Sequence, residues 1–332
     1  MKVLAGDIGG TKTLLQVAEV RGSEVEVLHR ERFASQDYAD FESLLSDCLD
    51  RIPVTVAKDI ASACFGIAGP IHAPEQGPRQ ARVTNLPWQL DESRLQSVLG
   101  LPRVHLINDF YATASGIEAL GGDDLAVLQP GKPLSGAPRL VVGAGTGLGV
   151  AQLFWCDGRY RAYASEGGHT HFAPTNALQA ELLAYMQGQF QRVSYERLVS
   201  GPGLAHIYTF LAQRHRQDAS EILAILEQPD PPAAIAHLAQ EGDALAEQAI
   251  ALFMAIYGSV VGDLALVSLA YGGIYIAGGI AAKLVDQIRE GTFMANYENK
   301  GRMSPLVQQM PVFIILNQDV GLLGATLVPA RL

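Results

Sequence analysis

The stretch from Val3 to Val17 sets two apolar runs on either side of Gly6-Asp7-Ile8-Gly9-Gly10-Thr11. The run leaving the turn alternates in character and is rich in Leu and Val, which predicts a β-hairpin and not a strand feeding a helix. That excludes two familiar phosphate loops. A Walker loop needs Gly-Lys followed by Ser or Thr, and here Lys12 follows Thr11; a dinucleotide fingerprint needs a helix after its glycines. What remains is a turn offering consecutive backbone N–H groups and a Thr hydroxyl, with no Cβ at Gly9 or Gly10 to block a phosphate. Asp7 stands at the mouth of this turn, where a carboxylate can hold Mg2+ through water.

A tight hairpin alone would suggest nothing more than a turn. Residues 140–154 repeat the pattern, however, with an apolar run, Gly143-Ala144-Gly145-Thr146-Gly147, and a second apolar run. Two such hairpins a domain apart predict two similar halves serving one polyphosphate. The chain has 332 residues, enough for two domains with ample cores. Its net charge of -10 argues against a nucleic acid or a membrane surface as main partner. Cys48, Cys64 and Cys156 show no motif spacing, which suits reduced cytosolic thiols, and Met1-Lys2 runs into the first strand without a signal peptide. Ala249 to Tyr271 is apolar enough to cross a membrane, but Asp263, Gly258 and Gly262 interrupt it and no basic residues flank it. It reads as a core helix.

Between and beyond the hairpins the pattern predicts a third strand over 24–33, a helix over 38–50 and a buried strand over 61–68. It further predicts a short strand over 83–88 and a strand over 104–109 that leads into a helix to residue 120. Residues 121–138 read as a loop-rich bridge. Asp109 can cap the helix that follows it, or serve chemistry at a strand's carboxyl end. Glu166-Gly167-Gly168-His169 lets the backbone bend so that both side chains face one pocket. His169 and His171 could instead begin a zinc site, but no cysteine lies nearby. Ser194 to Gly203 reads as a capped turn closed by glycine, with Glu196 placed to complement a helix dipole. Ala277-Gly278-Gly279 ends a strand at a turn where a flat base can lie against backbone, and a helix over 281–290 follows. The last strand is expected over 312–316, before a final helix opened by Gly321.

Taken in order, Gly6 to Thr11, Ile107-Asn108-Asp109, Gly143 to Gly149, Glu166 to His169 and Ala277 to Gly279 resemble bacterial glucokinases. That family lies within the actin, sugar-kinase and heat-shock ATPase superfamily. The resemblance spans essentially the whole chain. It implies an α/β fold of two actin-like (ribonuclease H-like) domains, each on a mixed five-stranded sheet, around a central cleft. The domains would be 1–119 with 317–332, and 120–316. It implies ATP-binding by Gly6, Asp7, Ile8, Gly9, Gly10 and Thr11, by Gly143, Gly145, Thr146 and Gly147, and by Ala277, Gly278 and Gly279. Asn108, Asp109, Glu166, His169 and Glu196 would bind sugar hydroxyls, with Asp109 as general base.

The resemblance also implies ATP with Mg2+ as cofactors, no metal held directly by protein, a cytoplasmic homodimer, and glucose 6-phosphate as product. Related kinases with repressor members carry a cysteine-rich zinc motif after their His; this chain lacks it, and no DNA-binding domain is expected. Lys12 departs from the Asn of some close relatives. Phosphoryl transfer needs charge neutralisation and alignment, and a sugar hydroxyl needs a base, so the residue set suits the reaction. The rival reading is an ATPase or sugar-sensing binding protein without transfer. The carboxylates disfavour it, since a pure ATPase has no use for a sugar-shaped pocket. A dinucleotide oxidoreductase fails on the strand after each Gly turn.

Overall fold

The computed structural model describes residues 1–75, 77–215 and 219–331. In chain order the first elements are β1 (Lys2–Ile8), β2 (Lys12–Arg21), β3 (Glu24–Ala34), α1 (Phe41–Arg51), α2 (Val54–Ala57) and β4 (Ile60–Ile67). Next come β5 (Ile71–His72), β6 (Gln80–Arg82), β7 (Gln89–Asp91), α3 (Glu92–Leu99), β8 (Val104–Asn108) and α4 (Asp109–Gly116). They are followed by β9 (Leu125–Gln129), β10 (Arg139–Ala144), β11 (Leu148–Cys156), β12 (Arg159–Ser165), α5 (Ala177–Gln187) and α6 (Gly201–Arg214). The next helices are α7 (Ala219–Leu226), α8 (Pro231–Gln240) and α9 (Ala244–Ser268), which lead into β13 (Gly273–Ala277). The chain ends with α10 (Gly279–Lys283), α11 (Val285–Arg289), α12 (Thr292–Glu298), α13 (Ser304–Val307), β14 (Val312–Ile315) and α14 (Val320–Arg331). Two compact units result: Met1–Asp124 with Arg161–Ala164 and Asn317–Leu332, and Leu125–Tyr160 with Ser165–Leu316.

The first unit is built on a mixed sheet in the order β3-β2-β1-β4-β8. β1 runs antiparallel to β2 and parallel to β4, which is parallel to β8. Alternation along β1 assigns its two faces, as period-2 burial requires. Leu4 and Ile8 join Phe41, Leu44, Phe65 and Trp88 on the α1 side, whereas Val3 and Ala5 join Ala112, Leu322, Ala325 and Val328 beneath α4 and α14. A polar chain, buried at Gln16 and Thr326 and reaching the surface at Asp319, pins α14 to the sheet. Gln16 Nε2 donates to Thr326 Oγ1 at 2.7 Å, and Arg30 bridges the Gln16 amide oxygen to Asp319, its Nη1 2.5 Å from Asp319 Oδ2.

The second sheet has six strands, in the order β12-β11-β10-β13-β14-β9, and not the expected five. The extra strand, β9, pairs antiparallel with β14 inside the stretch read as a bridge. Of its residues only Ala126 is buried, and Leu125-Ala126-Val127-Leu128 is a continuous short apolar run without the alternation that marks a half-buried strand. Helix α9 packs against α12, α6, α8 and β10. Phe253, Tyr257 and Val261 are buried along it. Asp263, the polar interruption in that apolar run, lies 2.7 Å from Lys300 Nζ and accepts from the Tyr195 hydroxyl at 3.3 Å. The Asp263 carboxylate is half exposed, and it pairs the nearly buried Lys300 ammonium.

Other expectations change in detail. Residues 83–88 form a turn, with Asn85 at φ 65°, between the short strands β6 and β7. Ser200 caps α6, so Gly201-Pro202-Gly203 opens a helix and does not close a turn. The helix expected over 281–290 is two short helices broken at Leu284. β8 ends at Asn108, and Asp109 is the first residue of α4.

Candidate functional site

In the first unit, strand register brings the sequence-predicted residues to one edge of the sheet. Ile8 pairs with Ile67, and Ile67 with Asn108, so the β1–β2 turn and the Asn108-Asp109 pair share the carboxyl ends of parallel strands. Two strand spacings separate them, about 10 Å. The turn Gly9–Thr11 is closed by Gly9 N donating to Lys12 O at 3.0 Å. Ser35 buttresses it from β3's end: its hydroxyl donates to Gly9 O at 2.8 Å and lies 3.0 Å from Thr13 Oγ1. No motif announced Ser35, because its contact spans 26 residues.

Asn108, and not Asp109, caps α4. Its side-chain oxygen accepts from Phe110 N at 2.9 Å and Tyr111 N at 3.1 Å. Asp109 Oδ1 accepts from Asn108 Nδ2 and from Phe110 N, both at 2.9 Å, which orients the carboxylate at the positive end of the helix.

Burial holds the Asp7 carboxyl above its ordinary value of 3.8; Lys12 opposes this and Asp319 adds to it. Between 3.8 and the raised folded value, the folded chain binds more protons than the unfolded one. Stability therefore falls as pH rises through that window, and above it the charged carboxylate is a net cost. Asp7→Asn should leave the melting temperature at pH 7 equal or higher, and flatten its decline as pH rises above 3.8. A melting temperature lowered by several degrees at pH 7 would contradict this sign. Buried charge of this kind is characteristic of functional positions. A lone, enclosed, hard-oxygen donor also fits Mg2+, which keeps most of its waters and takes phosphate oxygens. Among the described residues no three His, Cys, Asp or Glu side chains are placed to hold a metal. His171 Nε2 instead accepts a hydrogen bond from Arg192 Nε at 3.1 Å.

In the second unit, Gly143 pairs with Ala277, setting the β10–β11 turn beside the end of β13. Gly278 has φ 89°, and a Cβ there would stand 2.3 Å from Ala144 O. Only glycine permits that approach. Gly145, Thr146, Gly201, Gly279, Asp230 and Lys283 help line a cavity of about 360 Å³, whose remaining walls are apolar side chains including Pro202, Ile280 and Leu284. Sequence reasoning reached Gly145, Thr146 and Gly279 here but missed the wall from α6 and α8.

Three further predicted residues meet in the same unit. Gly167–His169 forms a single tight turn, with His169 Nε2 3.6 Å from Glu166 Oε2. His169 Nδ1 lies 3.6 Å from Glu196 Oε1, while Glu196 Oε2 accepts from Leu148 N at 3.0 Å. Arg192 Nη2 donates to His169 O at 2.6 Å and steadies the turn. Glu166 is largely exposed and Glu196 mostly buried.

A family model described as glucokinase matches residues 4–331. The chain belongs to the glucokinase family. A glucokinase from Nostoc punctiforme is 44% identical over 346 residues, covering 99% of each chain. One from Xylella fastidiosa is 35% identical, covering 97% of this chain and 93% of that protein. Among solved structures, a glucokinase from an Antarctic psychrotroph superposes with TM-score 0.85 at 29% identity, covering 100% of this chain and 99% of that one. The fold is also shared with a Balamuthia mandrillaris glucokinase solved with glucose, at TM-score 0.79 and 23% identity, covering 99% and 93%. ATP-dependent phosphorylation of glucose is the activity of a glucokinase-family chain.

Proposed function

We propose that this chain transfers the γ-phosphoryl group of ATP to the 6-hydroxyl of glucose, giving glucose 6-phosphate and ADP. Family membership over nearly the whole chain carries this reading, and the chemistry of the strand-end residues supports it. The base of ATP would lie on Ala277-Gly278-Gly279 in the apolar-walled cavity. In the turns at Gly9–Thr11 and Gly145–Gly147, backbone N–H groups other than those of Gly9 and Gly145, which close the turns, would bind phosphate oxygens, a task that suits a bare backbone. Bound Mg2+ would neutralise phosphate charge, and Asp7 would hold it through water.

Asp109 would accept the proton of the 6-hydroxyl as it attacks, a contribution of about 10²- to 10⁴-fold for a positioned base. Asn108, Glu166, His169 and Glu196 would pair the other hydroxyls; a site built on such pairs rejects analogues lacking one. The two mixed sheets with helices, and the return of α14 to the first unit, support the finer assignment to the actin-like, ribonuclease H-like class. On the family's pattern the domains would be 1–119 with 317–332, and 120–316, in a cytoplasmic homodimer.

The test is a coupled assay of ADP release across a panel of hexoses with Mg2+ and ATP. Glucose should raise the rate well above the sugar-free background, and removal of Mg2+ should abolish it. Equal ADP release with and without any sugar would replace this reading with that of an ATPase.

A further inference from the structure

Glu196 has a second relation in the structure that sugar binding alone does not require. Its two carboxylate oxygens face two different things. Oε2 accepts from Leu148 N, the first residue of β11 after the glycine turn, at 3.0 Å. Oε1 faces His169 Nδ1 at 3.6 Å, too long for a good hydrogen bond, so this oxygen retains capacity for another donor. The fit is tight on the turn's side. A Cβ at Gly147 would stand 2.5 Å from Oε2, so any other residue there would push the carboxylate off Leu148.

The backbone of Glu196 is tied into the same structure. Glu196 O accepts from the Ser200 hydroxyl at 2.7 Å, and that hydroxyl accepts from Gly203 N as the cap of α6. Gly201 N in turn donates to Gly145 O at 2.8 Å. The glycine turn is therefore held at one end by the Glu196 carboxylate and at the other by the start of α6. Residues 196–203 connect His169 to the wall of the nucleotide cavity.

We propose that Glu196 is a positioning residue for the phosphate turn, through which an occupied sugar position tightens Gly145–Leu148. This rests on the reading of Glu196 as a sugar ligand. A hydroxyl donating to Oε1 fixes the carboxylate's rotation, and a fixed carboxylate keeps Oε2 on Leu148 N–H. The bond to Leu148 N–H is in place without sugar, and sugar would hold it, and with it the turn's N–H groups, more firmly for phosphate. Sugar occupancy and phosphate alignment become coupled through one side chain, with no displacement of either strand.

Hydrogen exchange of peptides covering 145–148, paired with calorimetric titration of glucose, tests this. In the unmodified protein, saturating glucose should slow exchange of the turn about 10-fold, the scale of one charge-assisted hydrogen bond. Glu196→Ala should exchange faster without sugar and show no slowing at glucose concentrations that calorimetry shows to be saturating. Glu196→Gln retains an acceptor for Leu148 N–H, so its sugar-free exchange should stay near that of the unmodified protein; this separates loss of the bond from general unfolding. Glucose binding with unchanged exchange at the turn would overturn the coupling and leave the kinase reading standing. Equal slowing in Glu196→Ala would also overturn it. No heat of glucose binding in the unmodified protein would instead sink the sugar-kinase reading, and the coupling with it.

Discussion

Asp109→Asn should lower glucose-dependent turnover by at least about 10²-fold while leaving the protein folded. The two halves of that expectation rest on different observations. Asn108 is the helix cap, so the substitution leaves the side chain that accepts from Phe110 N and Tyr111 N in place. An Asn at position 109 still presents an oxygen to Phe110 N, as Asp109 does at 2.9 Å. What the fold loses is a negative charge at the start of α4, about 0.3–1 kcal/mol. What the reaction loses is its proton acceptor. Glucose affinity should change far less, because the amide can still hydrogen-bond a hydroxyl. Turnover, a denaturation midpoint and a glucose dissociation constant measured on one preparation separate these effects. Near-normal turnover would mean that the base lies elsewhere, with Glu166 next in line.

Gly278→Ala should strike the nucleotide side. Position 278 combines a left-handed backbone, φ 89°, with Ala144 O 2.3 Å from where a Cβ would sit. The obstacle is main chain, so no side chain can swing aside. Either the residue keeps its conformation under strain of about 1–3 kcal/mol, or β13 and the start of α10 shift away from β10. Both outcomes disturb the cavity wall formed by Gly279 and Ile280. The KM for ATP should rise at least about 10-fold, equivalent to 1.4 kcal/mol of lost binding, with glucose affinity little altered. A KM for ATP within a factor of two of the original would show that this turn does not shape the nucleotide position.

The features legible in the sequence were those in which local pattern and final structure coincide. Both glycine hairpins were readable because an apolar run on each side of a bare-backbone turn can do little else. Helix α9 was readable because its apolar positions run all round. Strands of two or three residues, β5, β6 and β7, are too short to show a period, and residues 83–88 misled because Val83 and Trp88 are buried on either side of a turn. At 108–109 two adjacent residues are both good caps, and only the backbone decides between them. Site residues were accessible where they sat in a motif. The support given by Ser35 to the first turn, and by Glu196 to Leu148 N across 48 residues, depends on tertiary placement that no local pattern encodes.

The pinning of α14 to the first sheet bears on how the chain is made. The hydrogen bond from Gln16 to Thr326 joins residues 310 apart, and Val3, Ala5 and Cys64 share their apolar cluster with Leu322, Ala325 and Val328. On a ribosome working at about 5–20 residues per second, roughly 15–60 s pass between synthesis of the two partners. During that interval one face of the β1–β4 sheet has α4 but lacks α14. Residues 125–316, which contain the whole of the second unit, emerge before α14. The nascent chain can thus complete its middle before its beginning.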